Sequence, residues 1–353
     1  MDDVGTERRV REVVARATGG DTSGAPVRRL AGHASLRSYW RVGLPPASRV
    51  VMVMPPAAVS EEVTKGGPPA VNPFVDVRDF LASLGARVPE VDLLEEGDPA
   101  GALMVLEDLG DEMLETRLSA GDPAGPHYER AVDALARLRV RAEAAQAAGA
   151  RSVALQRAFD RDLYLWELNH FREWLLEAWK GAVLAPAERE EIDARFAAIA
   201  DELSALPRGF THRDYQSRNL MVLPGGEQAI IDFQDALLGP RQYDLVALLR
   251  DSYVELPPET VDALVRRYLD RLAAEGGPRL DADGFRAAFD LLTVQRKLKD
   301  AGRFVFIDRV KGNPGFLRSI PPSLRYVRSA LARLPRLAPL QALIARHVSE
   351  LRP

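Results

Sequence analysis

The stretch FTHRDYQSRNLMVLPGGEQAIIDFQD, residues 210–235, gathers Asp214, Asn219, Asp232 and Asp235 around short apolar runs, in a chain otherwise rich in Ala, Leu and Arg at helical spacing. An Asp and an Asn on one short loop, with a second Asp arriving from the next hairpin, can bring three oxygen donors toward one point. Hard oxygen ligands suit Mg²⁺, which keeps several waters and takes only one or two carboxylates beside phosphate oxygens. An Asp next to such a metal can orient a hydroxyl and accept its proton, which is the kit of phosphoryl transfer. Singly, each residue is an ordinary turn former. The argument rests on all three at this spacing, each in the loop or strand context the chemistry needs.

His212-Arg213-Asp214 followed by Asn219 matches the catalytic-loop signature H-R-D-x-x-x-x-N, and Asp232-Phe233 at the end of the next apolar run matches the start of a D-F-G element. With IIDFQDALLGPRQYDLVALLRDSY and the distant VQRKLKDAGRF, the stretch resembles the aminoglycoside phosphotransferase group of kinase-like small-molecule kinases. Within that group it is similar to the bacterial anomeric kinases of N-acetylmuramate and N-acetylglucosamine. The resemblance runs from about Leu30 to Val327 and is dense from Phe210 to Tyr253. It implies an α+β, bilobal protein-kinase-like fold, with a small antiparallel-sheet lobe over residues 1–108 and a larger, mainly helical lobe over 109–353. ATP and Mg²⁺ would occupy the cleft, Asp214 would be the catalytic base, and Asn219 and Asp232 would hold the metal.

Other roles come with the resemblance. HASLRSYWRV sits where the family has its phosphate-covering hairpin, which nominates Ser35 and Arg37 for ATP. LMVLEDLGDE sits at the hinge, where backbone groups of Glu107 and Leu109 would meet the adenine edge. Arg218, Asp235, Arg296 and Lys299 are the candidates for the sugar pocket, although a solvated turn at Asp235 and a basic helix face at QRKLKDAG are open alternatives. Asp244 is expected to brace the catalytic loop, His212 divides evenly between a site and a buried structural role, and Arg250 and Asp251 read as a surface ion pair. The implied product, a sugar 1-phosphate, would feed a nucleotidyltransferase in peptidoglycan recycling.

Two elements of the protein-kinase pattern are missing. The third strand, VVMVMPP, has no lysine for the α- and β-phosphates, and the following helix, NPFVDVRDFLASLG, has no partner Glu. Phosphate charge is then left to Mg²⁺, Arg37, Arg41 or Lys65. The same gap keeps a non-catalytic nucleotide-binding module open as a rival, beside aminoglycoside, choline-like and homoserine kinases. An aminoglycoside pocket would need more acid, because its ligand is a polycation.

The elements that must position these residues follow from periodicity. Val10, Val13, Val14 and Ala17 predict a helix over 6–18 whose place in the fold is open. VRRLAG, SYWRV and RVVMVM read as antiparallel strands, with a helix at 73–84 ended by Gly85 and further strands near 88–94 and 102–107, so a small sheet carries one helix across it. Beyond residue 110 strands almost vanish, and amphipathic patterns predict helices at 124–148, 155–179 and 186–204. NLMVL and AIIDF flank Pro224-Gly225-Gly226 as a tight hairpin.

Composition bounds the rest. At 353 residues the chain exceeds the size at which one core usually stops growing, and 46% hydrophobic with 28% charged residues is ordinary for a globular protein. A net charge of −4 without a basic block gives no reason to expect nucleic acid or a membrane surface as a partner. The absence of cysteine excludes disulfides and thiolate metal sites. A charged N-terminus and the lack of any membrane-length apolar run make the cytoplasm the expected location.

Overall fold

The computed structural model describes residues 3–30, 37–55, 71–97 and 101–353, so Ser35 and Lys65 lie outside the described residues. Five strands, β1 (Val27–Leu30), β2 (Ser38–Val42), β3 (Arg49–Met54), β4 (Val91–Glu95) and β5 (Ala102–Glu107), form one antiparallel sheet in the order β1-β2-β3-β5-β4. Strand alternation divides its side chains between two faces. Trp40, Val42, Val51, Leu103 and Val105 pack under Val10, Val13 and Val14 of helix α1 (Asp3–Thr18). Met52, Met104 and Leu106 turn the other way and join Phe74, Val77, Phe80 and Leu81 of α2 (Pro73–Ser83) in the main core. The sheet therefore carries two helices where the sequence predicted one, and the N-terminal helix belongs to the small lobe. Asn72 starts α2 by accepting a hydrogen bond from the Phe74 N–H at 3.1 Å, with Pro73 at the first helical position.

The remainder is mainly helical: α3 (Leu114–Ser119), α4 (Ala124–Ala147), α5 (Arg161–His170), α6 (Pro186–Ser204), α7 (Tyr243–Leu249), α8 (Pro258–Ala274), α9 (Ala282–Lys311), α10 (Ile320–Leu331) and α11 (Ala338–Ile344). Two small ladders interrupt them. β7 (Leu220–Val222) pairs with β8 (Gln228–Ile230) in the expected hairpin, and β6 (Arg208–Thr211) pairs with β9 (Leu237–Pro240). The second ladder escapes sequence reading because RGFT and LLGP are short and contain Gly and Pro. The helix predicted over 155–179 is divided. Ala158 bridges to Leu238, Asp160 caps α5 by accepting from the Leu163 N–H at 2.7 Å, and Phe171–Trp179 continue as a π-helix.

At that α-to-π junction α9 comes very close. A Cβ on Gly302 would lie 2.5 Å from the His170 carbonyl oxygen, so only glycine fits there. Asp281 caps the start of the 30-residue α9 and Gly312, at φ 66°, ends it. No helix among the described residues is long and apolar enough to cross a membrane.

Candidate active site

β6 delivers the chain into the loop 212–219, and β8 delivers it to Asp232. The loop is held by carboxylates that accept from its backbone. Asp244, at the start of α7, accepts from the His212 N–H at 2.7 Å and the Arg213 N–H at 2.9 Å, as its bracing role requires. Asp251 accepts from the Ser217 N–H at 2.9 Å and from the Ser217 hydroxyl. It is fully buried, and Arg250 is buried over Phe289 and Tyr326, so the surface ion pair expected for Arg250 and Asp251 does not exist. Both residues face inward because they follow α7, whose residues are all buried.

His212 is also structural. Its Nδ1 accepts from the Asp214 N–H at 3.2 Å and its Nε2 lies 3.1 Å from the Ile231 carbonyl, the pattern of a neutral ring protonated on Nε2. Burial lowers its pKa, in keeping with that neutral form. Among the described residues, Arg213 (φ 80°) and Asp232 (φ 63°) are the two non-glycines with positive φ. Strained backbone gathered at one place is a mark of a functional site.

Asp214 and Asp232 both line one cleft of about 850 Å³ between the lobes, together with Asn219. The Asp214 side chain is 36% exposed to it. Arg296, from α9, is 1% exposed and donates to the Asp214 Oδ1 at 2.9 Å and to the Arg213 carbonyl at 2.8 Å. Burial pushes the Asp214 carboxyl up, but the charges of Arg296, Lys299 and Arg213 with the Arg296 hydrogen bond outweigh it and hold the pKa at about 2. Arg213 is itself paired with the fully buried Glu167 at 3.2 Å, and Gln295 donates to the other Glu167 oxygen at 2.6 Å.

Asn219 donates its Nδ2 to the Asp214 carbonyl at 2.8 Å, which leaves the amide oxygen as its atom for a cation. Asp232 has the opposite electrostatics from Asp214. Burial raises its pKa, and the nearby Asp214 and Asp235 carboxylates add to this against a 2.9 Å bond from Gln234 and the charge of Arg37. Gln234 also donates to Asp235 at 3.1 Å. A carboxylate facing the cleft among like charges is short of positive charge, and a divalent cation would supply it. The donor set therefore fits Mg²⁺: one carboxylate and one amide oxygen, with room for phosphate oxygens. Among the described residues no cluster of three His, Cys, Asp or Glu side chains could hold a metal unaided.

The remaining candidates fall into two groups. Arg37, Glu107, Leu109, Asp235, Arg218 and Lys299 line the cleft. The Glu107 N–H is used by the Glu90 carbonyl at 2.9 Å and its carboxylate by Arg87, so an adenine contact there falls to its carbonyl or to Leu109. Arg218 forms a bidentate pair with Glu115 at 2.7 and 2.8 Å and stacks 3.6 Å over Tyr253, so it builds the wall. Arg41, one of the phosphate candidates, is buried and bonded to Asp108 and Asp111, each at 2.7 Å. That is the correction to its role: its charge is consumed at the hinge. Sequence reading missed Glu167 and Gln234, whose partners are distant or neighbouring side chains, and took Asp251 for a surface residue; Arg296, nominated for the sugar, lines the cleft and also donates to Asp214. The signal available for α9 was the helical recurrence of 296, 299 and 303.

A five-stranded sheet above a helical body, with this loop and this hairpin at their junction, defines a kinase-like phosphotransferase. Residues 26–282 match the model of the phosphotransferase enzyme family known as APH, and the chain belongs to that family. Over 317 residues it is 36% identical to the N-acetylmuramate/N-acetylglucosamine kinase of Pseudomonas aeruginosa, covering 88% of this chain and 86% of that one. An enzyme of the same name from Neisseria meningitidis is 33% identical over 330 residues, covering 91% and 90%. The crystal structure of choline kinase LicA from Streptococcus pneumoniae matches with a TM-score of 0.59 over 93% of this chain and 99% of that one, at 14% identity, a likeness of fold alone.

Proposed function

We propose that the chain transfers the γ-phosphoryl group of ATP to the anomeric hydroxyl of N-acetylmuramate, N-acetylglucosamine or both, giving the sugar 1-phosphate. The observation that carries this is the opening of Asp214, Asn219 and Asp232 onto one cleft; the names of the relatives supply the sugars. Asp232 and Asn219 would hold Mg²⁺, which supplies neutralisation of the phosphate oxygens when bound.

Asp214 orients the acceptor hydroxyl. As the oxygen–phosphorus bond forms and the bond to the ADP oxygen breaks, the hydroxyl proton passes to the Asp214 carboxylate. A carboxylate held at about 2 is a weak base, so it takes the proton late. The anomeric hydroxyl, the most acidic on an aldose, suits such a base. Arg296 keeps the carboxylate in place, and most of the acceleration comes from positioning and charge complementarity. With Arg41 consumed at the hinge, Arg37 is the described cation of the small lobe assigned to the phosphates. The product is of the class consumed by sugar-1-phosphate nucleotidyltransferases, and both sugars are peptidoglycan constituents, which gives the reaction a place in recycling.

The test is ATP consumption with Mg²⁺ over a panel of N-acetylmuramate, N-acetylglucosamine, kanamycin, choline and homoserine. Turnover confined to the amino sugars, with product labile to mild acid as an anomeric phosphate is, supports the reading. Turnover with another acceptor, or with none, removes it.

A further inference from the structure

We propose that Asp300, with Ser252 beside it, grips the acceptor by taking hydrogen bonds from its non-reacting hydroxyls, and that the buried Lys297 is the positioning residue behind both. This rests on the functional reading above for the acceptor's sugar framework.

Two neighbouring cations of α9 are each 1% exposed, and each is spent on a carboxylate of the same cleft. Arg296 holds Asp214 at 2.9 Å. Lys297 holds Asp300 at 2.7 Å, and Lys299 meets the other Asp300 oxygen at 3.2 Å. Burying an ammonium is costly, and an apolar pair of similar volume is often as stable. Stability alone therefore does not call for Lys297. What it achieves is a carboxylate fixed in the wall and still 12% exposed. Burial pushes the Asp300 carboxyl up, but the charges of Lys297, Lys299 and Arg296 with the Lys297 hydrogen bond outweigh it and hold it well below the usual carboxylate range. The Lys297 ammonium has less charge to offset its burial, and its pKa is lowered.

Proton directions make this wall an acceptor. Lys297 also donates to the Ser252 Oγ at 3.1 Å. Ser252 lies 2.9 Å from the Ser323 Oγ, whose single proton goes to the Ser319 carbonyl at 2.8 Å. The Ser252 proton is thus directed to Ser323, and its oxygen, like those of Asp300, presents lone pairs to the cleft. An ionised carboxylate has about four acceptor positions, of which the two lysines use one on each oxygen. A ligand that fits must donate, as sugar hydroxyls do.

The helix sets the distance. Asp300 stands one turn from Arg296, about 6 Å along the axis and on the same face. A hydroxyl presented to Asp214 and another presented to Asp300 are then roughly a sugar ring apart. The cleft's other acids are committed elsewhere: Arg41 and Arg87 bind those of the hinge, and Gln234 binds Asp232 and Asp235.

Steady-state kinetics of the full chain with ATP, Mg²⁺ and N-acetylglucosamine is compared with kinetics on its 3-, 4- and 6-deoxy analogues. With the wild type, at least one analogue is expected to lose about 10- to 100-fold in kcat/KM, the worth of a hydrogen bond to a charged group. Asp300→Asn should raise KM for the parent sugar and leave KM for ATP alone. The paired variant Lys297→Met with Asp300→Leu keeps the wall filled without stranding a charge, and its melting temperature shows that it is folded. It should show the same split and abolish the analogue's penalty. Lys297→Met alone should also raise the acceptor KM but not that for ATP. An acceptor KM within about twofold of wild type in these variants, an equal rise for ATP, or a deoxy penalty that survives in the paired variant overturns the proposal. Should the wild type turn over no sugar, the functional reading falls, and calorimetric binding of N-acetylglucosamine decides this one: weaker binding by the paired variant supports it, and unaltered or absent binding overturns it.

Discussion

The floor and the roof of the cleft are built on different principles. On the floor, each strained or charged element of the loop 212–219 is held by a dedicated side chain: Asp244 on two N–H groups, Asp251 on Ser217, Arg296 on Asp214 and Glu167 on Arg213. On the roof the strongest polar cluster, Arg41 with Asp108, Asp111 and Ser48, fastens the hinge to the sheet. The ligand-facing roof presents Arg28 and Arg29 of β1 and Arg37 ahead of β2. One half of the site is preorganised by side chains bonded to the loop and to one another, and the other presents arginines from β1 and the approach to β2. Chemistry that must be placed within a fraction of an ångström is concentrated on the floor.

The largest effect should come from Asp214→Asn. Turnover is expected to fall about 10²- to 10⁴-fold, the usual worth of a general base, with nucleotide binding by calorimetry retained; intact turnover would make the floor dispensable. Asp232→Ala should remove the magnesium dependence of what turnover remains, and an unchanged magnesium titration would show that this carboxylate does not ligate the metal.

The two arginines of β2 and its approach separate the roof's two duties. Arg41→Met strands the buried Asp108 and should lower the unfolding free energy by roughly 3–5 kcal/mol in urea titrations. Arg37→Met should instead raise KM for ATP or lower kcat by about tenfold, the scale of one lost charge contact near 1.4 kcal/mol, with little change in stability. The reverse assignment of effects would exchange the roles proposed for these residues.

The smallest test is pH. Burial raises the Asp108 carboxyl, but the hydrogen bonds from Arg41, Ser48 and Gly110 with the charge of Arg41 outweigh it, so its folded pKa lies below the ordinary value. A depressed carboxylate contributes stability that is complete above its unfolded pKa of about 3.9 and is lost as pH falls through the lower folded value. Wild-type stability should therefore decline below about pH 4. In Arg41→Met the bonds from Ser48 and Gly110 remain to oppose burial, and this acid-side loss of stability should shrink.

The same contrast explains what could be read in the sequence. The small sheet, the hairpin 220–230, Asp214, Asn219 and Asp232 are legible because periodicity and fixed spacing encode them locally, and the bracing Asp244 is legible through the family resemblance. Asp251, Glu167 and Gln234 are not, because a carboxylate that accepts from a distant backbone N–H leaves no pattern beside itself. Arg41 misleads for a related reason: its alternation in SYWRV is the same whether it meets a phosphate or the buried Asp108. The β6–β9 ladder fails on length, since four residues containing Gly or Pro carry too little strand propensity to stand out.

The close crossing at Gly302 has a reach beyond its own neighbourhood. It lies six residues from Arg296 on a rigid rod, so a single methyl group at 302 would act as a wedge beneath a lever. The displaced end carries the guanidinium bonded to Asp214, the proposed proton acceptor. A substitution outside the cleft can thus detune the proposed reaction from about a third of the way round the helix.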